Sequence, residues 1–252
     1  MIFVYLGIML AQYLADTFYN KQQELLMKKT ITTMVITSLL SASAISFQAS
    51  ATEGLSANFA ATNNYLWRGL EQTGGDVAIS GGIDYAASSG FYAGTWVSNA
   101  SWGDMKTELD LYLGFGGDIN ANFSYDVGYI YFAYPDSIAD KNAFSEIYAS
   151  ISTGGFTFGL AVLADSEGGG DGAEFGDSLY ANIDYALTLA NDAEVAFHLG
   201  NYSGDFSTDS TDIGVSISKD GFTFGVSKTD YDDGMDSDDM KFYLAYSIDI
   251  DL

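Results

Sequence analysis

The chain has no cysteine and one proline, Pro135. Without cysteine there is no disulfide framework and no thiolate metal site. With one proline, strand interiors are free of the residue that cannot donate to a β-ladder. Basic residues are also scarce. Lys and Arg number 9 against 34 Asp and Glu, a formal net charge of -25. A surface of that sign repels phosphate backbones, which sets nucleic acid aside as a partner. Residues 52–252 contain no run of roughly 18 apolar residues, the length a membrane helix needs, and mean hydropathy is only +0.08. A membrane is not excluded by this, because barrel strands dilute their apolar residues with lumenal ones. What the chain has in quantity is glycine (28), tyrosine (18) and phenylalanine (17), a composition suited to small barrels with aromatic girdles. Its 252 residues are ample for one all-β domain.

The strongest pattern lies in residues 108–134. Leu109, Leu111, Leu113 and Phe115 alternate with Glu108, Asp110, Tyr112 and Gly114; after a turn, Phe123, Tyr125, Val127, Tyr129 and Tyr131 alternate with Ser124, Asp126, Gly128, Ile130 and Phe132. Neighbouring side chains on a strand point to opposite faces, so each strand has one apolar and one largely polar face. Twelve such segments are predicted: 55–62, 76–86, 91–98, 106–116, 122–134, 143–152, 156–164, 178–187, 193–202, 211–218, 222–229 and 240–251. The last is the cleanest, with Met240, Phe242, Leu244, Tyr246, Ile248 and Ile250 on one side. Short turns (87–90, 117–121, 153–155, 188–192, 219–221) alternate with longer loops (63–75, 99–105, 135–142, 165–177, 203–210, 230–239). A soluble sandwich has no reason to sort its connections this way. An antiparallel transmembrane β-barrel of about 12 strands does, with short periplasmic turns and longer extracellular loops.

Ahead of the barrel, Met27-Lys28-Lys29, an apolar run over 31–47 and Ala49-Ser50-Ala51 have the three parts of a Sec signal peptide. The expected organisation is therefore a non-native upstream extension at 1–26, a signal peptide at 27–51 and the barrel at 52–252. The rival, an anchor over residues 2–14, is too short to span and is closely followed by Asp16.

The polar parity places Asp84, Glu108, Asp110, Asp126, Glu146, Asp184, Glu194, Asp212 and Asp249 toward a lumen, with Lys241 and His198 as basic counterparts. An acidic wall favours cations over anions; the plain alternative is a plugged lumen whose acids bond to Ser, Tyr and Asn. Arg68, beside Tyr65 and Trp67, is either a constriction residue or substrate contact facing that wall, or else half of a structural ion pair with an acid such as Glu71 or an interfacial anchor alongside the aromatics. Tyr65, Trp67, Trp96, Trp102, Tyr129, Tyr131 and Tyr134 fit aromatic girdles better than a sugar-binding slide. Two loops gather acids: Asp165, Glu167, Asp171, Glu174 and Asp177, then Asp230, Asp232, Asp233, Asp236, Asp238 and Asp239. Hard divalent cations take oxygen ligands, so Ca2+ or Mg2+ bridging to lipopolysaccharide phosphates is a candidate partner, though neither loop has EF-hand spacing. His198 is the only histidine. A barrel phospholipase needs its serine and histidine on the lipid side, whereas His198 has lumenal parity, so no enzyme is expected and no cofactor is called for.

The stretch Asn64-Tyr65-Leu66-Trp67-Arg68-Gly69-Leu70 carries a family resemblance. It continues through Ile79-Ser80-Gly81-Gly82-Ile83-Asp84-Tyr85, Ser89-Gly90-Phe91-Tyr92-Ala93-Gly94-Thr95-Trp96, Glu108-Leu109-Asp110-Leu111-Tyr112, Tyr125-Asp126-Val127-Gly128-Tyr129, Tyr134-Pro135 and Glu146-Ile147-Tyr148. Over about residues 56–152 the chain resembles the TorF-like porin family of proteobacterial outer-membrane proteins. The resemblance implies an outer-membrane barrel acting as a porin for small solutes, with outer-membrane lipid and lipopolysaccharide around it. It brings neither a catalytic motif nor a substrate. The alternatives are a closed structural or surface-interaction barrel with acidic cation-binding loops, and a soluble secreted β protein.

Overall fold

The computed structural model describes residues 53–137, 142–168, 173–206, 208–232 and 239–252. The segments expected at 1–26 and 27–51 lie outside these described residues. The strands are β1 (Gly54–Thr62), β2 (Leu66–Trp67), β3 (Leu70–Glu71), β4 (Ala78–Ala86), β5 (Phe91–Trp102), β6 (Met105–Asn120) and β7 (Phe123–Ala133), followed by β8 (Phe144–Thr153), β9 (Phe156–Ser166), β10 (Ser178–Thr188), β11 (Glu194–Gly204), β12 (Ser210–Lys219), β13 (Phe222–Tyr231) and β14 (Lys241–Asp251). β1 and β4 to β14 form a closed, antiparallel barrel of neighbours in chain order. It closes where β1 meets β14, with Ser56 opposite Asp251 and Thr62 opposite Ala245. No helix among the described residues is long and apolar enough to cross a membrane.

Exposure decides which parity faces out. Along β6, Leu111, Leu113 and Phe115 are 48, 49 and 47% exposed, while Asp110 and Tyr112, of the opposite parity, are 2 and 5% exposed. β14 repeats this: Phe242 and Leu244 are exposed, Tyr243 and Ala245 buried. An outward apolar belt around a polar interior is the inverse of a soluble protein and the arrangement of a transmembrane barrel. Near the turn end, outward rings pair across strands: Phe91 with Phe115 (5.3 Å), Phe156 with Tyr185 (4.5 Å) and Phe222 with Tyr246 (4.7 Å). They have the position and chemistry of an interfacial girdle.

Inward parity mixes tyrosine with glycine for a steric reason. Tyr92 lies opposite Gly114, and Tyr243 opposite Gly225. A methyl group at Gly225 would stand 2.0 Å from Tyr243 Cζ, and one at Gly114 would stand 2.4 Å from Tyr92 Cζ. The bare backbone is what lets each ring lie flat on the neighbouring strand.

Two connections differ from expectation. The loop expected at 99–105 is a turn at Gly103 and Asp104, because β5 and β6 continue to a Trp102–Met105 pair after a register shift beyond Asn99. Its polar residues had suggested a loop, but strand ends beyond the lipid belt are solvated and tolerate polar side chains. The sorting of short turns and long loops therefore fails here, and the β11–β12 connection (205–209) is only as long as the β10–β11 turn (189–193). The loop at 63–75 contains the hairpin of β2 and β3, which folds inward. Its turn residues Arg68 and Gly69 have φ of 49° and 75°, as a two-residue type I′ turn requires.

Substituting Leu113 with arginine puts a charge against lipid at mid-strand. Denaturant titration of vesicle-inserted protein is expected to show a loss of about 2–4 kcal/mol.

Candidate functional site

The β2–β3 hairpin crosses the lumen near the loop end. Tyr65, Leu66, Trp67 and Arg68 are all buried, and their partners come from strands around the barrel. Arg68 donates from Nη1 and Nη2 to the two carboxylate oxygens of Glu146 on β8, at 2.8 and 2.6 Å. Its guanidinium carbon lies 4.3 Å from the Trp67 and Tyr180 ring centres and 5.3 Å from that of Tyr202. The indole of Trp67 packs edge-on against Phe132 and Phe144, each at 6.0 Å. The partner of Arg68 is thus Glu146, not Glu71, which instead accepts a hydrogen bond from Asn64 Nδ2 (2.7 Å). Gly69 backs onto Thr229 and Asp212 so closely that a side chain there would meet Thr229 Oγ1.

Also toward the loop end, Glu108 accepts hydrogen bonds from the phenols of Tyr65 (2.7 Å) and Tyr134 (3.4 Å). Asp110, two residues on and on the same face, has no hydrogen-bond partner for Oδ1 among the described residues. Tyr65, Trp67 and Trp96 were expected in girdles; they are lumenal, Tyr65 meeting Trp96 edge-on at 5.5 Å. Tyr134 also reaches inward, through its bond to Glu108, while Trp102 and Tyr129 remain exposed.

Deeper in, the acids are held by tyrosines. His198 sits between Asp184 (Nδ1 to Oδ1, 2.6 Å) and Asp212 (Nε2 to Oδ1, 2.8 Å), with Tyr180 Oη at 2.9 Å from Nε2. Asn182 donates to Asp184 at 2.5 Å. Tyr112 donates to Asp84, which Asn58 also serves at 3.1 Å. Tyr92 donates to Asp126 at 2.6 Å and lies 2.6 Å from the Tyr148 hydroxyl. Glu194 is buried at the start of β11, and Asp249 is exposed opposite Asn58 near the end of β14. Lys241 begins β14 at the loop end, opposite Ser227. The sequence reading offered Ser, Tyr and Asn donors to these acids only as the plugged-lumen alternative and paired none of them; glycines and tyrosines sharing the inward parity were a readable sign of the clamps.

Outside the strands, Asp136 ties the β7–β8 connection to β6. Desolvation pushes its carboxyl up, but bonds from the Lys106 and Thr107 amides and the Thr107 hydroxyl prevail and hold it below the usual carboxylate range. In the acidic loops, Glu167 accepts from Tyr131 Oη (3.0 Å) and Asp177 from the Glu174 amide (2.8 Å). Among the described residues no three His, Cys, Asp or Glu side chains gather as a metal site. Asp171, Asp233, Asp236 and Asp238 lie outside the described residues.

A closed antiparallel barrel, apolar outside and acidic within, defines the class as a transmembrane β-barrel. More particularly, the chain belongs to the Gcw_chp family, bacterial proteins of unknown function, whose family model matches residues 46–246. No curated protein matches the chain. Among solved structures it is similar to the KdgM porin, at 12% identity over 78% of this chain and 99% of that one, with a TM-score of 0.48. It is likewise similar to the NanC porin (8%, 79% and 100%, TM-score 0.44) and to outer membrane phospholipase A from Escherichia coli (11%, 79% and 90%, TM-score 0.43). At these values the likenesses assign no activity.

Removing Arg68 leaves Glu146 buried without its counter-charge. Arg68→Ala is expected to cost about 3–5 kcal/mol in denaturant unfolding, and the double variant with Glu146→Ala to recover part of that loss.

Proposed function

We propose that the barrel resides in a bacterial outer membrane, reached through the Sec pathway by way of the leader at 27–51. There it acts as a porin-like channel for passive diffusion of small solutes, with a preference for cations. The TorF-like resemblance at 64–70 agrees with this reading. The observation that carries it is the charge of the inward face. Asp84, Glu108, Asp110, Asp126, Glu146, Asp184, Glu194, Asp212 and Asp249 have inward parity against Arg68, His198 and Lys241, so carboxylates outnumber the bases set against them. Rings of carboxylates raise the local cation concentration and exclude anions. The mechanism needs no catalysis. Solutes move down their gradient past the hairpin, which narrows the loop end.

One observation favours a second reading, a closed structural or surface-interaction barrel. Arg68, Phe132 and Glu146 are only 2, 2 and 3% exposed, so the hairpin fills much of the lumen at its level. In that case the acidic loops at 165–177 and 230–239 do the work, holding Ca2+ or Mg2+ against lipopolysaccharide phosphates.

Planar-bilayer recording separates the two. The channel reading expects a reversal potential of cation sign in a KCl gradient, moving toward zero in Asp84→Asn/Asp126→Asn. It also expects a several-fold rise in single-channel conductance when residues 66–71 are replaced by a short glycine linker. Anion preference sinks the selectivity proposal, and absence of conductance in both proteins leaves the closed barrel.

A further inference from the structure

Most buried charges in this lumen have a partner of opposite sign or a clamp of neutral donors. One member of a pair does not fit that rule. Glu108 and Asp110 are both 2% exposed and stand on one face of β6, about 7 Å apart along the strand. Two phenols serve Glu108, yet Asp110 Oδ1 has no partner among the described residues. Arg68 gives both Nη groups to Glu146, and Lys106, earlier on β6, turns its Nζ to the Gly103 carbonyl. Asp110 is the cross-strand partner of Trp96, whose ring meets that of Tyr65 at 5.5 Å, so the carboxylate stands in the same part of the lumen as the Tyr65–Glu108 contact. Two buried carboxylates with one oxygen unserved make a binding site for positive charge.

We propose that Glu108 and Asp110, with the phenol oxygens of Tyr65 and Tyr134, bind one hard divalent cation of the calcium type. The charge balances, since two carboxylates neutralise one divalent ion. The donor set is all oxygen, and calcium accepts irregular sets completed by water, whereas magnesium demands a near-ideal octahedron. A cavity of about 360 Å³ is lined by Tyr131, Tyr134, Ser137 and Glu167 among others. Tyr134 is both a wall of that cavity and a partner of Glu108, so it separates the cavity from the carboxylates. The ion has a structural effect as well. Tyr65 belongs to the segment leading into the inward hairpin and Tyr134 directly follows β7, so a cation held between them fastens the hairpin to the barrel wall.

The proposal goes beyond the channel reading and does not require conductance. Calcium chloride titrated calorimetrically into the full-length barrel, refolded in detergent, is expected to show one binding equivalent. Its affinity should fall by about tenfold or more in Asp110→Asn and in Glu108→Gln, and stay unchanged in Asp118→Asn, which alters an exposed acid at the turn end of β6. If the lumenal variants do not refold, the unaltered protein still decides: calcium must raise the temperature at which its folded gel band is lost. No binding by the unaltered protein, an isotherm unchanged by Asp110→Asn, or no thermal shift overturns the site. A barrel that binds calcium without conducting removes only the channel reading; one that conducts without binding calcium removes only this site.

Discussion

The ladder between β1 and β14 is the constraint on which the rest depends. In lipid, an unpaired backbone donor or acceptor has no water to turn to, so a sheet survives there only if its two edges find each other. Once Ser56 faces Asp251 and Thr62 faces Ala245, every strand has two neighbours and every side chain is either inside or outside. That division forces the rest of the chemistry. Leucine, isoleucine and phenylalanine go out to lipid, and a lumen appears that must be filled or wetted.

This lumen is filled largely from within the barrel itself. Tyrosines lie flat over glycines on the neighbouring strand and aim their hydroxyls at carboxylates, so Asp84 and Asp126 gain donors without needing a positive charge. The hairpin adds the strongest single interaction, the two-point contact of Arg68 with Glu146 inside a ring of Trp67, Tyr180 and Tyr202. The planar guanidinium suits both partners, offering a fork to the carboxylate and a face to the aromatic rings. His198 does for Asp184 and Asp212 what Arg68 does for Glu146, and Tyr180 touches both groups. The lumen is therefore a connected polar network in which the arginine and histidine sites share a wall.

Strand alternation was legible because it is a local property: each of the twelve barrel strands shows its two faces within ten or so residues. The hairpin was not, for two reasons. Strands of two residues are too short to display a period, and arginine at φ of 49° is not a residue that announces a turn. The partner of Arg68 lies 78 positions away, so a nearby acid, Glu71, was the natural but mistaken choice. The inward placement of Tyr65 and Trp67 was hidden for a related reason, since aromatic residues at the end of a strand look the same whether they anchor at a membrane interface or fold back inside. The parity of the lumenal acids could be read from the strands, whereas donors such as Tyr92 and Tyr112 reach their acids across an intervening strand and had to be seen in three dimensions.

Closure between the first and last strands also bears on time. All other pairings in the barrel join strands that are neighbours along the chain, so each ladder can grow from a hairpin. The β1–β14 ladder alone spans the whole barrel, and the entropy of bringing such distant segments together makes it the slowest contact to form. Until β14 is in place both edges stay open, offering unpaired backbone to any other chain. The protein must therefore cross its most aggregation-prone stage with all but one of its ladders complete, and the residues of β14 determine when that stage ends.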